Sequence, residues 1–313
     1  MCSEIENKTE LSVIVSVFNE EDVLEKFFEA AAASLNELGK SYELIFVNDG
    51  STDRSREIVG RFADENSNVR VLNFSCNFGH EAAMLAGIDH ARGKYLICMD
   101  ADLQHPVEYI PEIFGKLENG KDIINMVRTS NDDAGFFKNI TSSLFYSILN
   151  SVGNINLEKN ASDFFGISQR VADVLRNEYR ERVRFIRGYV QTVGFSKDKI
   201  EYEAADRAGG KSKYSIRKLS RFSIETLVSF SDAPLKLGIY AGIIALIIGF
   251  VMAIYTIVTW IKVGAPNGYS TIVVLMCFMF GVVFLLLGVI GMYISVLFKE
   301  VKGRPIYIIE EEL

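Results

Sequence analysis

The stretch Asp100-Ala101-Asp102-Leu103-Gln104-His105-Pro106 sets two carboxylates and an amide oxygen at alternate positions. Hard oxygen donors spaced in this way suit Mg²⁺ or Mn²⁺ carrying a substrate diphosphate. Residues 94–99 just before it are a short, mostly apolar run that reads as a buried strand. The acids therefore fall where a strand gives way to a loop, the place where open α/β sheets bind their ligands. A further acid, Asp49, stands in Asn48-Asp49-Gly50-Ser51-Thr52-Asp53, directly after the strand-like run 42–47.

The elements around these residues must bring them together. Residues 11–17, 69–74 and 122–127 read as further strands. Helical patterns fill the gaps: from Asn19-Glu20-Glu21-Asp22 to about residue 38, from Ser51–Asp53 to about 66, from Asn77-Phe78-Gly79-His80 to 92, and from Pro106 to about 117. Strands alternating with helices predict a mostly parallel sheet covered on both faces. Asp49 and the Asp100/Asp102 pair then meet at one sheet edge, and a nucleotide-sugar would fit there. Further on, residues 168–178 read as a helix and 192–202 as a strand. Residues 135–152, with Lys138, read equally as a helix on a membrane surface or in the core. Residues 214–230 mix Arg217, Lys218 and Arg221 with Ile216, Leu219, Phe222 and Leu227, the pattern of a helix lying among lipid headgroups.

Composition adds a membrane. The chain has 313 residues, 49% apolar, and a formal charge of −7, with no basic-aromatic surface pattern that would indicate a nucleic-acid partner. Residues 237–261 and 263–298 carry no charge, and about 20 apolar residues suffice to cross a bilayer. Two transmembrane helices are expected, at 235–261 and 271–298. Arg207, Lys211, Lys213, Arg217, Lys218, Arg221 and Lys236 precede the pair, and Lys299, Lys302 and Arg304 follow it. Only Lys262 lies between the spans, so both termini are expected in the cytoplasm. Trp260, Tyr269 and Tyr293 stand near span ends as interface anchors. The polar, acidic residues 1–10 are read as no signal peptide. Cys2, Cys76, Cys98 and Cys277 show no paired spacing, which fits a reducing cytosol.

Taken together, several motifs fall into a known order: Val15-Ser16-Val17-Phe18-Asn19-Glu20-Glu21, the Asn48–Asp53 and Asn77–His80 loops, the acid loop 100–106, Ser162-Asp163-Phe164, and Arg207-Ala-Gly-Gly-Lys-Ser-Lys-Tyr214. The chain resembles a family 2 glycosyltransferase of GT-A fold, and within it the polyprenyl-phosphate glycosyltransferases such as bactoprenol glucosyltransferases and dolichol-phosphate mannose synthase. The resemblance implies an α/β GT-A domain over residues 1–205, a juxtamembrane amphipathic region at 206–234, the two spans, and a cytoplasmic tail at 299–313. It implies that Phe18 and Glu20 line the nucleoside pocket and that Asp49 holds base or ribose. Asp100, Asp102 and Gln104 would hold Mg²⁺ or Mn²⁺ and the donor diphosphate. Arg128, Lys138 and Ser142 would meet phosphate, Arg207, Ser212 and Lys213 the lipid phosphate. Asp163 matches the acid proposed as catalytic base, acting with Asp102.

The implied reaction moves a sugar, glucose being favoured, from a nucleotide-sugar to polyprenyl phosphate, with inversion, at the cytoplasmic membrane. UDP-glucose is the preferred donor, and GDP-mannose, UDP-galactose and UDP-N-acetylglucosamine stay open. A homo-oligomer, with a tetramer as one form, is implied, and Gly281, Gly288 and Gly291 are read as permitting close helix packing. The sequence departs from the family pattern. Ser16 and Phe18 stand where Pro and Tyr are usual, Asn48 replaces the first acid of a pair, and Phe165 stands where an arginine is expected. A processive polysaccharide synthase is disfavoured, because the sole tryptophan, Trp260, lies inside a span and cannot complete a Gln-x-x-Arg-Trp motif. A non-catalytic membrane scaffold is the other rival.

Overall fold

The computed structural model of the chain describes residues 9–129, 158, 160–182, 184–203, 233–263 and 268–313. Lys138, Ser142, Arg207, Ser212 and Lys213, together with the segments 135–152 and 214–230, lie outside the described residues.

The strands are β1 (Leu11–Val17), β2 (Tyr42–Asn48), β3 (Val69–Phe74), β4 (Tyr95–Asp100), β5 (Ile123–Arg128), β6 (Ala161–Ser168), β7 (Lys197–Tyr202) and β8 (Ile309–Glu312). They form one sheet in the order β7-β5-β6-β4-β1-β2-β3-β8. β1 to β4 are mutually parallel, β6 runs against both β4 and β5, and β7 is parallel to β5. The apolar runs of β1, β2 and β4 are buried almost throughout because helices cover both faces. On one face α1 (Leu24–Glu37), α2 (Ser55–Glu65) and α4 (Ile110–Glu118) bury Phe27, Phe62 and Phe114. On the other, α3 (His80–His90), α5 (Gln169–Asn177) and α6 (Ile186–Thr192) bury Leu85, Leu175 and Val190. Gly87 brings α3 very close to the sheet: a Cβ there would lie 2.1 Å from Cγ2 of Ile14.

Two sequence expectations change. Residues 192–202 are not one strand. Ile186, Tyr189 and Val190 are buried at helical spacing on α6, which ends at Thr192, and Gly194 turns the chain at φ 83° before β7 begins. The segment read as a tail, 299–313, contains a strand that the sequence reading did not include. Its last residues form β8, antiparallel to β3. An exposed edge strand would leave a row of unpaired backbone groups, and β8 covers that of β3. Leu313 and Val71 exchange backbone hydrogen bonds at 2.9 and 3.0 Å, and Arg56 pairs with Glu310 and Glu311.

The helices α7 (Ala233–Val263) and α8 (Tyr269–Val301) pack against each other. Gly238–Val258 and Phe278–Val301 are long and apolar enough to cross a membrane, with mean hydropathy 2.6 and 2.5. Gly238 gives close contact between these helices, facing Leu286. Gly281, Gly288 and Gly291 do not: a Cβ added at any of them meets nothing within 4 Å. Their packing role within the chain is therefore not observed.

Candidate active site

Asp100 is the last residue of β4, and its cross-strand partner in β1 is Ser16. The parallel register sets the two side chains side by side, and Ser16 Oγ donates to Asp100 Oδ1 at 2.6 Å. With its proton committed there, Ser16 Oγ accepts from His80 Nδ1 at 3.0 Å. On the other side, the Asp100 backbone N–H donates to His105 Nδ1 at 2.9 Å. His105 is 1% exposed and stacks on Phe164 with ring centres 5.2 Å apart. Burial holds its pKa below the usual imidazole value despite Asp100 and Asp102. A neutral ring accepting at Nδ1 is thus the state the site favours, and His105 supports the backbone of the acid loop from beneath.

Leu103 takes the left-handed conformation, φ 62°, which turns the chain so that the Gln104 N–H reaches Asp102 Oδ1 at 3.1 Å. Asp100, Asp102 and Gln104 are all half-buried. Among the described residues no cluster of three or more acids, histidines and cysteines forms a metal cage. Two carboxylates at a strand end still fit a divalent cation that completes its shell with phosphate oxygens and water, as Mg²⁺ does.

Asp49 reaches the same edge but is otherwise engaged. Its carboxylate is 3% exposed and accepts the Phe78 N–H at 2.6 Å and the Gly79 N–H at 3.0 Å. Burial raises its pKa, and these bonds oppose the rise. Asp49 therefore shapes the loop that starts α3. Gly50 makes this possible. It has φ 66°, and a Cβ there would lie 2.5 Å from the Cys76 carbonyl carbon. The β1–α1 turn with Phe18 and Glu20 adjoins it, Asn19 Oδ1 accepting the Thr52 N–H at 2.8 Å and the Glu20 N–H reaching Ser55 Oγ at 2.9 Å.

Asp163 lies on β6, beside β4. Its Oδ2 is 3.7 Å from His80 Nε2 and its Oδ1 is 3.7 Å from Arg187 Nε. Burial would raise the pKa of Asp163, but Arg187, then His80, His105 and Arg128, hold it below the ordinary carboxylate value. At His80 burial works toward the neutral ring, yet Asp100, Asp163 and Glu81 outweigh it and push the pKa up to about 9. Arg128 ends β5 and bonds Tyr202 Oη through Nε at 3.1 Å.

The structure thus joins Asp100, Asp102, Asp163 and Arg128 at one carboxyl edge. Sequence reasoning missed His80, His105 and Arg187. Sheet order brings His80, at the start of α3, against Ser16 and Asp100, whereas His105 stands in the loop directly after β4 and reaches the Asp100 backbone locally. The Asn77–His80 motif was the available signal for His80; for Arg187 there was none.

The glycosyl transferase family 2 model matches residues 12–176. Over 303 residues the chain is 36% identical to an uncharacterised glycosyltransferase of Bacillus subtilis, covering 96% of this chain and 93% of that protein. It is 34% identical over 302 residues to the bactoprenol glucosyl transferase of Shigella phage SfII, covering 96% and 97%. Among solved structures, the crystal structure of a mycobacterial protein superposes with a TM-score of 0.50 at 17% identity, covering 72% of this chain and 76% of that one. This last likeness shows the fold.

Proposed function

The chain belongs to glycosyl transferase family 2, and on that footing we propose that it transfers glucose from UDP-glucose to polyprenyl phosphate at a membrane. Its α/β domain is of the GT-A class, a mostly parallel sheet with the acids at its carboxyl edge. One observation carries the choice of reaction: the chain aligns over 96% of its length with proteins named bactoprenol glucosyl transferase.

The chemistry of the edge agrees. Asp100 and Asp102 would hold Mg²⁺ or Mn²⁺, which would offset the charge that builds on the leaving diphosphate. Arg128, at the end of β5, adds a fixed positive charge on the same edge. The bond from the sugar C1 to the nucleotide oxygen breaks, and a bond from C1 to an acceptor phosphate oxygen forms, so a single displacement inverts the anomeric centre. A phosphate monoester has a second pKa of about 6 and is largely a dianion at neutral pH. It needs no strong base. Asp163, held below the ordinary carboxylate pKa, suits orientation of the acceptor complex better than proton removal.

Arg207, Ser212, Lys213, Lys138 and Ser142 are proposed to meet the acceptor phosphate, because a lipid phosphate stays near the bilayer and these residues precede the first span or lie in the segment 135–152. Both termini are proposed to be cytoplasmic. The pairing of β8 with β3 supports this, since α7 and α8 separate β8 from the rest of the sheet and an even number of crossings returns the chain to its starting side. A homo-oligomer accords with the outward glycines of α8. Incubation of the protein in undecaprenyl-phosphate vesicles with UDP-glucose, UDP-galactose, UDP-N-acetylglucosamine or GDP-mannose tests the reading. Lipid-linked glucose should form with UDP-glucose. Transfer from another donor alone, or from none, refutes it.

A further inference from the structure

Asp163 has a partner that no motif announces. Arg187, in the first turn of α6, sends Nη1 to the carbonyl oxygen of Ala161 at 2.9 Å, while its Nε lies 3.7 Å from Asp163 Oδ1. Ala161 and Asp163 are alternate residues of the same strand, β6. One planar guanidinium therefore spans the backbone and the side chain of the element that carries the acid. At 3.7 Å the contact with Asp163 is an ion pair, not a hydrogen bond.

The surroundings fix where this guanidinium can go. Glu81 Oε2 accepts the Ile186 N–H at 2.8 Å, which anchors the start of α6 to α3. The Phe185 ring lies under the guanidinium, 5.2 Å from its carbon. Gly188 keeps the turn tight, since a Cβ there would come within 2.3 Å of that ring. Arg187 is charged at every pH of interest and presents its donors in a rigid fork. Without it the contact at Asp163 Oδ1 is lost and that at Oδ2 with His80 is left, so the carboxylate could rotate.

We propose that Arg187 is a positioning residue for sugar transfer, holding the Asp163 carboxylate in one orientation at the acceptor side of the site. The inference rests on the role given to Asp163 under the proposed function. A carboxylate beside an incoming phosphate dianion is repulsive on its own. The guanidinium cancels that charge locally and leaves the oxygens of Asp163 as fixed acceptors.

A double-mutant cycle tests this, with turnover measured at saturating UDP-glucose and undecaprenyl phosphate and UDP binding followed by calorimetry. Arg187→Ala should lower turnover about ten- to a hundredfold, the scale of a misplaced catalytic group, with UDP affinity unchanged. In an Asp163→Asn background the same substitution should cost nothing further. Equal losses in both backgrounds overturn the positioning role and leave the proposed function standing. If Asp163→Asn itself leaves turnover intact, the role of Asp163 and this inference fall together. Should Arg187→Ala not fold, Arg187→Lys replaces it in the same cycle, since an ammonium lacks the planar fork that spans Ala161 and Asp163.

Discussion

Ser16 and Asp100 form a cross-strand pair whose hydroxyl-to-carboxylate hydrogen bond, 2.6 Å long, orients a proposed metal ligand from the neighbouring strand. Groups that orient metal ligands are commonly worth ten- to a hundredfold in affinity. Ser16→Ala should therefore raise the Mn²⁺ or Mg²⁺ concentration needed for half-maximal transfer by about tenfold, with turnover recovering at high metal. An unchanged metal titration would show that the bond only braces the sheet.

Asp102 follows β4 on the loop, where its Oδ1 organises the Gln104 N–H. Asp102→Asn keeps the size and the acceptor oxygen but loses the charge. Transfer should nearly vanish while the protein stays folded and membrane-bound. Turnover near wild type at saturating Mg²⁺ or Mn²⁺ would contradict the metal assignment.

Arg70 bridges Glu43 and the C-terminal strand, donating from Nη1 to Glu43 Oε2 at 2.8 Å and from Nη2 to Glu312. Glu43 is only 6% exposed and also accepts from Ser12 Oγ and the Arg92 N–H. Arg70→Ala strands that carboxylate and should destabilise the domain by about 3 kcal/mol, the cost typical of breaking a buried pair. Thermal unfolding in detergent measures it, and Glu43→Gln added to Arg70→Ala should restore part of the loss.

Asp122 is buried and accepts from Arg170, Ser196 and Ser168, and these contacts, that of Arg170 foremost, hold its pKa at about 2. A folded pKa below the unfolded one means that the carboxylate form stabilises the fold. That stability is complete above about pH 4 and is lost as pH falls toward 2. A shift of this size corresponds to about 2 kcal/mol. Asp122→Asn should cost about this much at neutral pH. The gap between variant and wild type should close in acid; a gap that persists there would assign the loss to packing instead.

The topology has its own test. Tags at residues 1 and 313 should resist protease in sealed, right-side-out cells, while one near Asn267 is cut. Cleavage at either terminus would contradict the proposed orientation, and cleavage at one terminus alone would contradict the pairing of β8 with β3 as well.

Much of this protein is decided locally. The apolar runs that become β1 to β5 are legible because strands buried on both faces must be apolar throughout, and the uncharged lengths of α7 and α8 follow from the thickness of a bilayer. Asp100 and Asp102 are legible because an acid pair directly after such a run falls at a strand end. What sequence could not supply is everything set by strand order. Ser16, His80, Asp163 and Arg187 surround Asp100 or one another only because β4 lies between β1 and β6, a choice no single stretch of chain contains. For the same reason Asp49, legible as an acid at the right edge, proved to be engaged by Phe78 and Gly79. The tail shows the same limit: residues 309–312 are polar and short, and become a strand only because β3 offers an open edge to pair with.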